Sequence, residues 1–305
     1  MCGRYLLIFS GNLMKILDGG IGRYLKEIGA PFEQPEWSAL ALMEKPSAVT
    51  VAHQAFVNAG SQVISTNSYA VVPFHIGEER FSARGPELIR LSGQLAQQVK
   101  HASTENILVA ASIPPVFGSY KPEEFVHDDA VAMLEIFKQH LLPYTDIVLA
   151  ETISSIAEVT AIQSVFGDCG QPLWISMTLE DEPLSSKQSR LRSGELLRDA
   201  IESIDFQCVE AVLFNCSQPE GMAEAVKLAV EMLPAGKEVG VYANGFRPIT
   251  NNIEANDGYS TLRDDLTPQD YLEFAQHWQL LGATMVGGCC GIGPDHIARL
   301  KSLND

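Results

Sequence analysis

The chain carries few positive charges: 21 Lys and Arg residues against 38 Asp and Glu residues give a formal net charge of −17 at pH 7. Nucleic acids and anionic membrane surfaces are bound through basic patches, so this composition argues against both as partners. The sequence also lacks an apolar run long enough to cross a membrane, and it lacks the pattern of a secretory signal. We therefore expect a cytoplasmic protein whose ligands are small molecules, with homo-oligomer formation left open.

Cysteine is also scarce, with 6 in 305 residues, and the C-x-x-C spacing of many zinc sites is absent. Three of the six cysteines nevertheless follow apolar, β-branched runs that are typical of buried strands: Cys216 in FNCSQPE, and Cys289 and Cys290 in MVGGCCGIGPDH. Three thiolates at the ends of two strands would suit a soft divalent metal, for which zinc is the usual ion. Three protein ligands leave one tetrahedral position open, which is typical of catalytic zinc.

Two simpler interpretations of these cysteines remain open. Cys216 alone would be a small buried hydrophobic residue, and Cys289 and Cys290 could form a disulfide with each other. That disulfide is disfavoured because adjacent residues rarely reach the required geometry, and because a chain without a secretory signal should keep its thiols reduced. The remaining cysteines are interpreted as structural or incidental: Cys2, Cys169 and Cys208.

No G-x-G-x-x-G motif opens a helix after the first apolar run, which argues against a dinucleotide-binding open sheet. Eight short apolar runs instead alternate with amphipathic stretches, as buried parallel strands alternate with helices. Strands are predicted at residues 15–18, 62–66, 107–112, 146–150, 173–178, 208–214, 238–242 and 283–286. Helices are predicted at residues 48–59, 85–101, 128–142, 156–165, 194–203, 221–233 and 268–281.

Eight strands in such alternation favour an α/β fold that closes into a single-domain (β/α)8 TIM barrel, and an open doubly wound sheet is the alternative. A core of this size is compatible with 305 residues, of which 46% are hydrophobic. The pair Met14-Lys15 is typical of a translation start. We therefore predict an N-terminal extension at residues 1–13 and a barrel domain at residues 14–305.

Polar or glycine-rich clusters directly follow most of the predicted strands. In a barrel these positions converge on the face formed by the carboxyl ends of the strands, where active sites are built. The sequence therefore predicts one cavity lined by these clusters: Asp18-Gly19-Gly20, Thr66-Asn67-Ser68, 112–115, Glu151-Thr152, Asn215-Cys216, Asn244 and 287–290.

The motifs at these positions resemble those of the homocysteine S-methyltransferase family from Met14 onward. They are DGG at 18–20, STNSY at 65–69, ETIS at 151–154, NC at 215–216, YAN at 242–244 and GGCCGIGPDHI at 287–297. The resemblance implies a zinc-dependent barrel that transfers a methyl group to the thiol of homocysteine and forms methionine. It also implies that Cys216, Cys289 and Cys290 are both the catalytic centre and the zinc ligands, with one Zn²⁺ per chain.

The amino acid homocysteine also carries an ammonium and a carboxylate that must be bound. Glu151 suits the ammonium, with Asp18 as a second anion, and Gly19 and Gly20 allow a ligand to approach the backbone closely. The alternatives are that DGG is only a turn and that Glu151 pairs with a lysine. Three further positions are predicted to bind substrate, the last with the alternative of orienting a cysteine ligand: Thr66, Asn67 and Asn244.

The methyl donor is expected to be a sulfonium, with S-methylmethionine ahead of S-adenosylmethionine. Betaine, another methylated donor, another thiol or selenol acceptor, and a non-catalytic metal-binding protein are the alternatives. Two segments depart from the pattern of sulfonium-using members: ASIPPVFGSYKPEEF after the third strand and LEDEPLSSKQSRLRSGE after the fifth. Because aromatic faces attract a sulfonium cation, four residues are candidates for the donor site: Tyr69, Phe117, Tyr120 and Tyr242.

Overall fold

The computed structural model describes residues 13–181, 188–247 and 261–305. Eight parallel strands form one sheet in the order β1-β8-β7-β6-β5-β4-β3-β2. A bridge between Leu17 and Val63 brings the first and second strands together and completes the circle. The predicted (β/α)8 barrel is thereby confirmed. The strands are β1 Lys15–Ile16, β2 Val63–Ser65, β3 Leu108–Ile113, β4 Ile147–Ile153, β5 Leu173–Met177, β6 Val209–Asn215, β7 Glu238–Tyr242 and β8 Met285–Val286.

Helices surround the barrel in the described segments. Each predicted helix overlaps an observed one, and four short helices were not predicted: α1, α2, α4 and α11. The helices are α1 Ile21–Glu27, α2 Ser38–Glu44, α3 Pro46–Ala59, α4 Pro73–Ile76, α5 Glu78–Ala102, α6 His127–Leu141, α7 Ile156–Phe166, α8 Leu197–Glu202, α9 Met222–Met232, α10 Pro268–Leu280 and α11 Pro294–Leu300. None of these helices is both long enough and apolar enough for a membrane span in the part of the chain that the structure describes.

Two apolar layers position the site. One fills the barrel interior, with Trp174, Leu149 and Met285 among its buried side chains. The other lies between the outer faces of the strands and the helices. Strands that are buried on both faces read as continuous apolar runs, which is why the sequence predicted them well. The polar side chains therefore collect above the barrel interior, at the carboxyl ends of the strands.

Some predicted features lie outside the described residues. The N-terminal extension at 1–13 is described only at Leu13, so this domain boundary stays a prediction. Residues 182–187 of the segment after the fifth strand, and residues 248–260 after β7, also lie outside.

Candidate active site

One cavity of about 220 Å³ opens at the carboxyl ends of the strands. Nine of the ten predicted site residues line it: Asp18, Gly19, Gly20, Thr66, Asn67, Glu151, Cys216, Cys289 and Cys290. Three of the four aromatic candidates line it as well: Tyr69, Tyr120 and Tyr242. Asn244 and Phe117 are not among its lining residues in the described segments. Of the predicted strand-end clusters, all except Asn244 thus contribute residues to this cavity.

The three predicted cysteine ligands form a cluster in which the sulfur atoms all lie within 4.8 Å of one another. Cys216 directly follows β6, and Cys289 and Cys290 lie in the loop after β8. Three soft sulfur donors at this spacing fit a soft metal ion such as zinc. Burial raises the pKa of the Cys290 thiol to about 11, and the nearby positive charge of Arg23 lowers it in part.

The structure also joins Cys216 and Cys289 as a disulfide, whereas the sequence predicted reduced thiols. Cys290 is not part of that bond. The short distances that let two of the sulfur atoms form a disulfide are also needed for the sulfur atoms to bind one metal ion. A disulfide and a three-thiolate metal site are therefore mutually exclusive states of this cluster, because both use the same sulfur atoms.

The glycines of the DGG motif let two loops pack backbone to backbone. The Gly20 N–H donates to the carbonyl of Ile292 at 2.9 Å. A Cβ atom at Gly20 would lie 2.5 Å from the carbonyl oxygen of Cys289 and 2.9 Å from the Cα of Cys290. A Cβ at Gly19 would meet the Ile292 carbonyl in the same way. Any larger residue would push the cysteine loop away, so the motif is more than a turn.

Two carboxyl groups line the cavity, one on the buried residue Asp18 and one on the partly buried residue Glu151. The Asp18 carboxylate accepts hydrogen bonds from the Ser65 N–H at 2.8 Å and from the Ser65 hydroxyl at 3.1 Å. Glu151 accepts from the hydroxyls of Ser112 and, at 3.4 Å, Tyr242. Within the described residues its partners are thus hydroxyl groups, and the alternative of a lysine partner is not met.

Burial raises the pKa of Glu151 to about 7. Burial also raises the pKa of Asp18 to about 8, and the negative charge of Glu151 adds to that increase. Two carboxyl groups in one cavity whose pKa values are both raised favour the binding of a cation, because its positive charge stabilises their ionised forms. The pair is therefore suited to an ammonium group.

The remaining predicted substrate residues differ in what their side chains already contact. The Thr66 hydroxyl accepts from the Ser112 N–H at 3.0 Å. Asn67 donates from Nδ2 to the Ser38 carbonyl at 3.0 Å, but its buried Oδ1 atom has no hydrogen-bond partner among the described residues. Asn244 Oδ1 accepts from Gln218 and from the Phe246 N–H, both at 3.2 Å. Asn67 thus keeps an acceptor for a ligand. For Asn244, both the predicted substrate binding and the alternative of orienting a cysteine stay predictions.

Asn215 is a residue whose own role the sequence did not reveal. Its Oδ1 accepts from the Thr152 N–H at 2.9 Å and from the Ser176 hydroxyl at 2.8 Å, and its Nδ2 donates to the Thr152 hydroxyl at 2.9 Å. The pairing of β4 with β5 shifts register between Ala150 and Ile153, directly around Thr152. Asn215 therefore fixes the irregular strand end that carries Glu151. Asn215 is part of the NC motif, but only the cysteine of that motif suggested a chemical role.

Backbone strain is concentrated around the cavity. In the described residues four non-glycine residues have positive φ angles, between 49° and 63°, and all of them line the cavity: Trp37, Tyr120, Thr152 and Cys216. L-residues rarely adopt this left-handed conformation, and such outliers cluster at functional sites. The conformation of Cys216 directs its sulfur toward the cysteines of the β8 loop, within 4.8 Å of both.

A (β/α)8 barrel with three converging sulfurs and two carboxyl groups in one cavity at the carboxyl ends of its strands has the layout of a barrel enzyme. Residues 15–303 match the family model described as homocysteine S-methyltransferase, and the chain belongs to that family.

Relatives of known name match over nearly the whole chain. The homocysteine S-methyltransferase of Escherichia coli is 27% identical, and the alignment covers 94% of each protein. Homocysteine S-methyltransferase 2 of Arabidopsis thaliana is 25% identical, with 93% of this chain and 91% of the relative covered. The selenocysteine methyltransferase of Astragalus bisulcatus is 24% identical over 94% of this chain and 91% of its own.

The homocysteine methyltransferase of Escherichia coli shares the fold in solved structures. Its metallated form superimposes with a TM-score of 0.76 at 24% identity and 96% coverage of both chains. Its oxidised form superimposes with a TM-score of 0.78 at 24% identity and 97% coverage of both. That relative thus exists in a metallated form, and this chain carries a three-cysteine cluster.

Proposed function

We propose that the protein transfers a methyl group from a small donor to the thiol of L-homocysteine and forms methionine. The observation that carries this proposal is the meeting of three cysteine sulfurs with a buried carboxyl pair in one cavity. The names of the relatives from Escherichia coli and Arabidopsis thaliana support the same reaction. Because the reaction needs free thiols, it also fits the cytoplasmic location that we predicted.

Cys216, Cys289 and Cys290 would hold a single zinc ion. When bound, zinc would supply positive charge that favours the thiolate form of the substrate, which is the nucleophilic form. Glu151 and Asp18 would bind the ammonium of homocysteine. The hydroxyls of Ser65, Ser112 and Tyr242 hold those carboxyls in place, so the bound amino acid has a defined orientation.

The transfer itself is a displacement at the methyl carbon. The thiol releases its proton to solvent water, its sulfur forms the new bond to carbon, and the bond between carbon and the donor breaks. With a sulfonium donor, the electron pair of that bond stays on the departing sulfur, which leaves as a neutral thioether. Because such a leaving group needs no proton, no general acid is required, and apart from favouring the thiolate the cavity has to place the two reactants in line.

A sulfonium donor, S-methylmethionine ahead of S-adenosylmethionine, fits the aromatic rings that line the cavity. Tyr69, Tyr120 and Tyr242 lie there, and Trp37 adds an indole that the sequence had not suggested. Aromatic faces attract cations at short range. A selenol acceptor is the second candidate, supported by the selenocysteine methyltransferase among the relatives.

A methyl-transfer assay tests the proposal. We expect the zinc-loaded, reduced protein to form methionine from homocysteine and S-methylmethionine, detected by mass spectrometry. Parallel reactions with S-adenosylmethionine, betaine and selenocysteine identify the donor and the acceptor. Absence of product with every pair of substrates would refute the proposed function.

Glu151→Gln should weaken homocysteine binding by about tenfold or more. A hydrogen bond to a charged group contributes roughly 1.5–3 kcal/mol, and glutamine removes the charge with little change of shape. Calorimetry gives the Kd, and metal analysis should show unchanged zinc. Glu238→Gln is the control, since Glu238 begins β7 and pairs with Lys15 at the opposite end of the barrel. An unaltered Kd in Glu151→Gln would remove Glu151 from the site.

A further inference from the structure

The cavity has one permanently positive side chain among its described lining residues, Arg23. The other basic lining residue, His75, is neutral at pH 7 because burial lowers its pKa to about 4. Its Nδ1 lies 3.2 Å from the carbonyl of Pro35, which fixes it as the donor in that contact. The cavity is also lined by two carboxyl groups, those of Asp18 and Glu151. The cavity therefore has a cationic part and an anionic part.

Arg23 lies close to the cysteine loop. It belongs to α1, which begins directly after the DGG turn. Its guanidinium carbon is 5.1 Å from the ring centre of Phe246, another lining residue. Gly20, three residues before Arg23, packs against the backbone of Cys289 and Cys290. Arg23, the two carboxyl groups and the cysteine cluster all line the same cavity, in which the substrate sulfur must lie.

This arrangement matches a zwitterionic amino acid. An ammonium at the carboxyl pair leaves the α-carboxylate of the same or a second amino acid to be bound within the cavity. The guanidinium group stays charged when it is partly buried, and its planar fork matches both oxygens of a carboxylate. The guanidinium carbon lies over the Phe246 ring, and such a cation–π contact holds the positive charge at the cavity wall.

We propose that Arg23 binds the α-carboxylate of an amino-acid substrate, and this proposal rests on the proposed function. The carboxylate belongs either to homocysteine or to an amino-acid methyl donor such as S-methylmethionine. The residue then makes the site specific for substrates that carry a carboxylate. The guanidinium would bind a carboxylate in either case, and ligands that lack only the carboxylate distinguish the two.

Calorimetry with two matched ligand pairs tests the assignment on the full-length, zinc-loaded protein. The first pair is homocysteine and 3-aminopropane-1-thiol, and the second is S-methylmethionine and (3-aminopropyl)dimethylsulfonium. Arg23→Gln should raise the Kd of one carboxylate-bearing ligand by at least about tenfold and leave that of its decarboxylated partner unchanged. Arg23→Lys, which keeps the charge, should recover part of the affinity.

Lys26→Gln is the matched control, because Lys26 is an exposed residue of the same helix outside the cavity lining. It should leave every Kd unchanged. A selective loss on the first pair assigns Arg23 to the acceptor, and one on the second pair assigns it to the donor. The proposal would be overturned if Arg23→Gln weakened the binding of both ligands of each pair equally, or weakened the binding of none of them.

The two proposals fail in different ways. Wild-type protein that binds both amino acids but forms no methionine contradicts the proposed function and still reports on Arg23 through the Kd values. Wild-type protein that binds neither amino acid contradicts both.

Discussion

Replacement of Cys216 by alanine should abolish zinc binding and methyl transfer while the barrel stays folded. The cluster offers three sulfurs within 4.8 Å, so loss of one leaves two protein ligands. Loss of even an outer hydrogen-bond partner of a metal ligand typically costs 10–100-fold in affinity or activity, so loss of a ligand should exceed about a hundredfold. The fold should survive because the apolar layers inside and outside the barrel do not depend on this side chain.

The measurement is the zinc content of purified protein, determined by mass spectrometry under reducing conditions. Reductant is needed because Cys216 and Cys289 can pair as a disulfide, which excludes the metal. Cys289→Ala and Cys290→Ala should behave like Cys216→Ala. The control is Cys208→Ala, since Cys208 precedes β6 at the other end of the strand. Full zinc content in Cys216→Ala would show that the ligand assignment is wrong.

Replacement of Asn215 by alanine should lower both stability and homocysteine affinity. The buried Thr152 N–H and Ser176 hydroxyl would each lose their acceptor, at about 1–3 kcal/mol for each unsatisfied group. The strand end that carries Glu151 would then be free to rearrange. We expect a loss of roughly 2–4 kcal/mol in the free energy of unfolding and at least a tenfold higher Kd for homocysteine.

Urea unfolding and calorimetry check the two parts of this prediction separately. Ser176→Ala is the control, because it removes one donor to Asn215 but keeps both bonds between Asn215 and Thr152. It should change the Kd little. If Asn215→Ala is destabilised but binds homocysteine like the wild type, Asn215 supports the fold and does not position Glu151.

The sequence predicted the fold because each barrel strand is buried on both faces. A run such as 211–214 is apolar throughout, and the helix that follows supplies the period that identifies a β–α unit. Helix α1 was missed for a physical reason. It has seven residues with a glycine at the second position, which is too short for an amphipathic period to emerge. Arg23 was missed together with its helix.

The site was predictable where chemistry and strand ends coincide. Cys216 and Asp18 follow strands and Glu151 lies near the carboxyl end of β4, and barrel geometry brings such positions together. The bonds of Asn215 were not predictable, because they join residues 63 positions apart and depend on the register between strands. Asn244 follows β7, but its side chain accepts hydrogen bonds from Gln218 in the loop after β6 and from Phe246 in its own loop. Sequence position alone does not reveal these bonds.

The four left-handed residues around the cavity have a consequence for the evolution of this protein. Each such conformation costs about 1–3 kcal/mol relative to a relaxed backbone, and glycine or asparagine would adopt it more easily. The side chains at these four positions are therefore not the ones that would make this backbone most stable. Selection for heat resistance alone would favour glycine at Tyr120, Thr152 and even Cys216, and would erase the cavity wall. The non-glycine side chains at these positions therefore cost backbone stability and in return form part of the cavity wall.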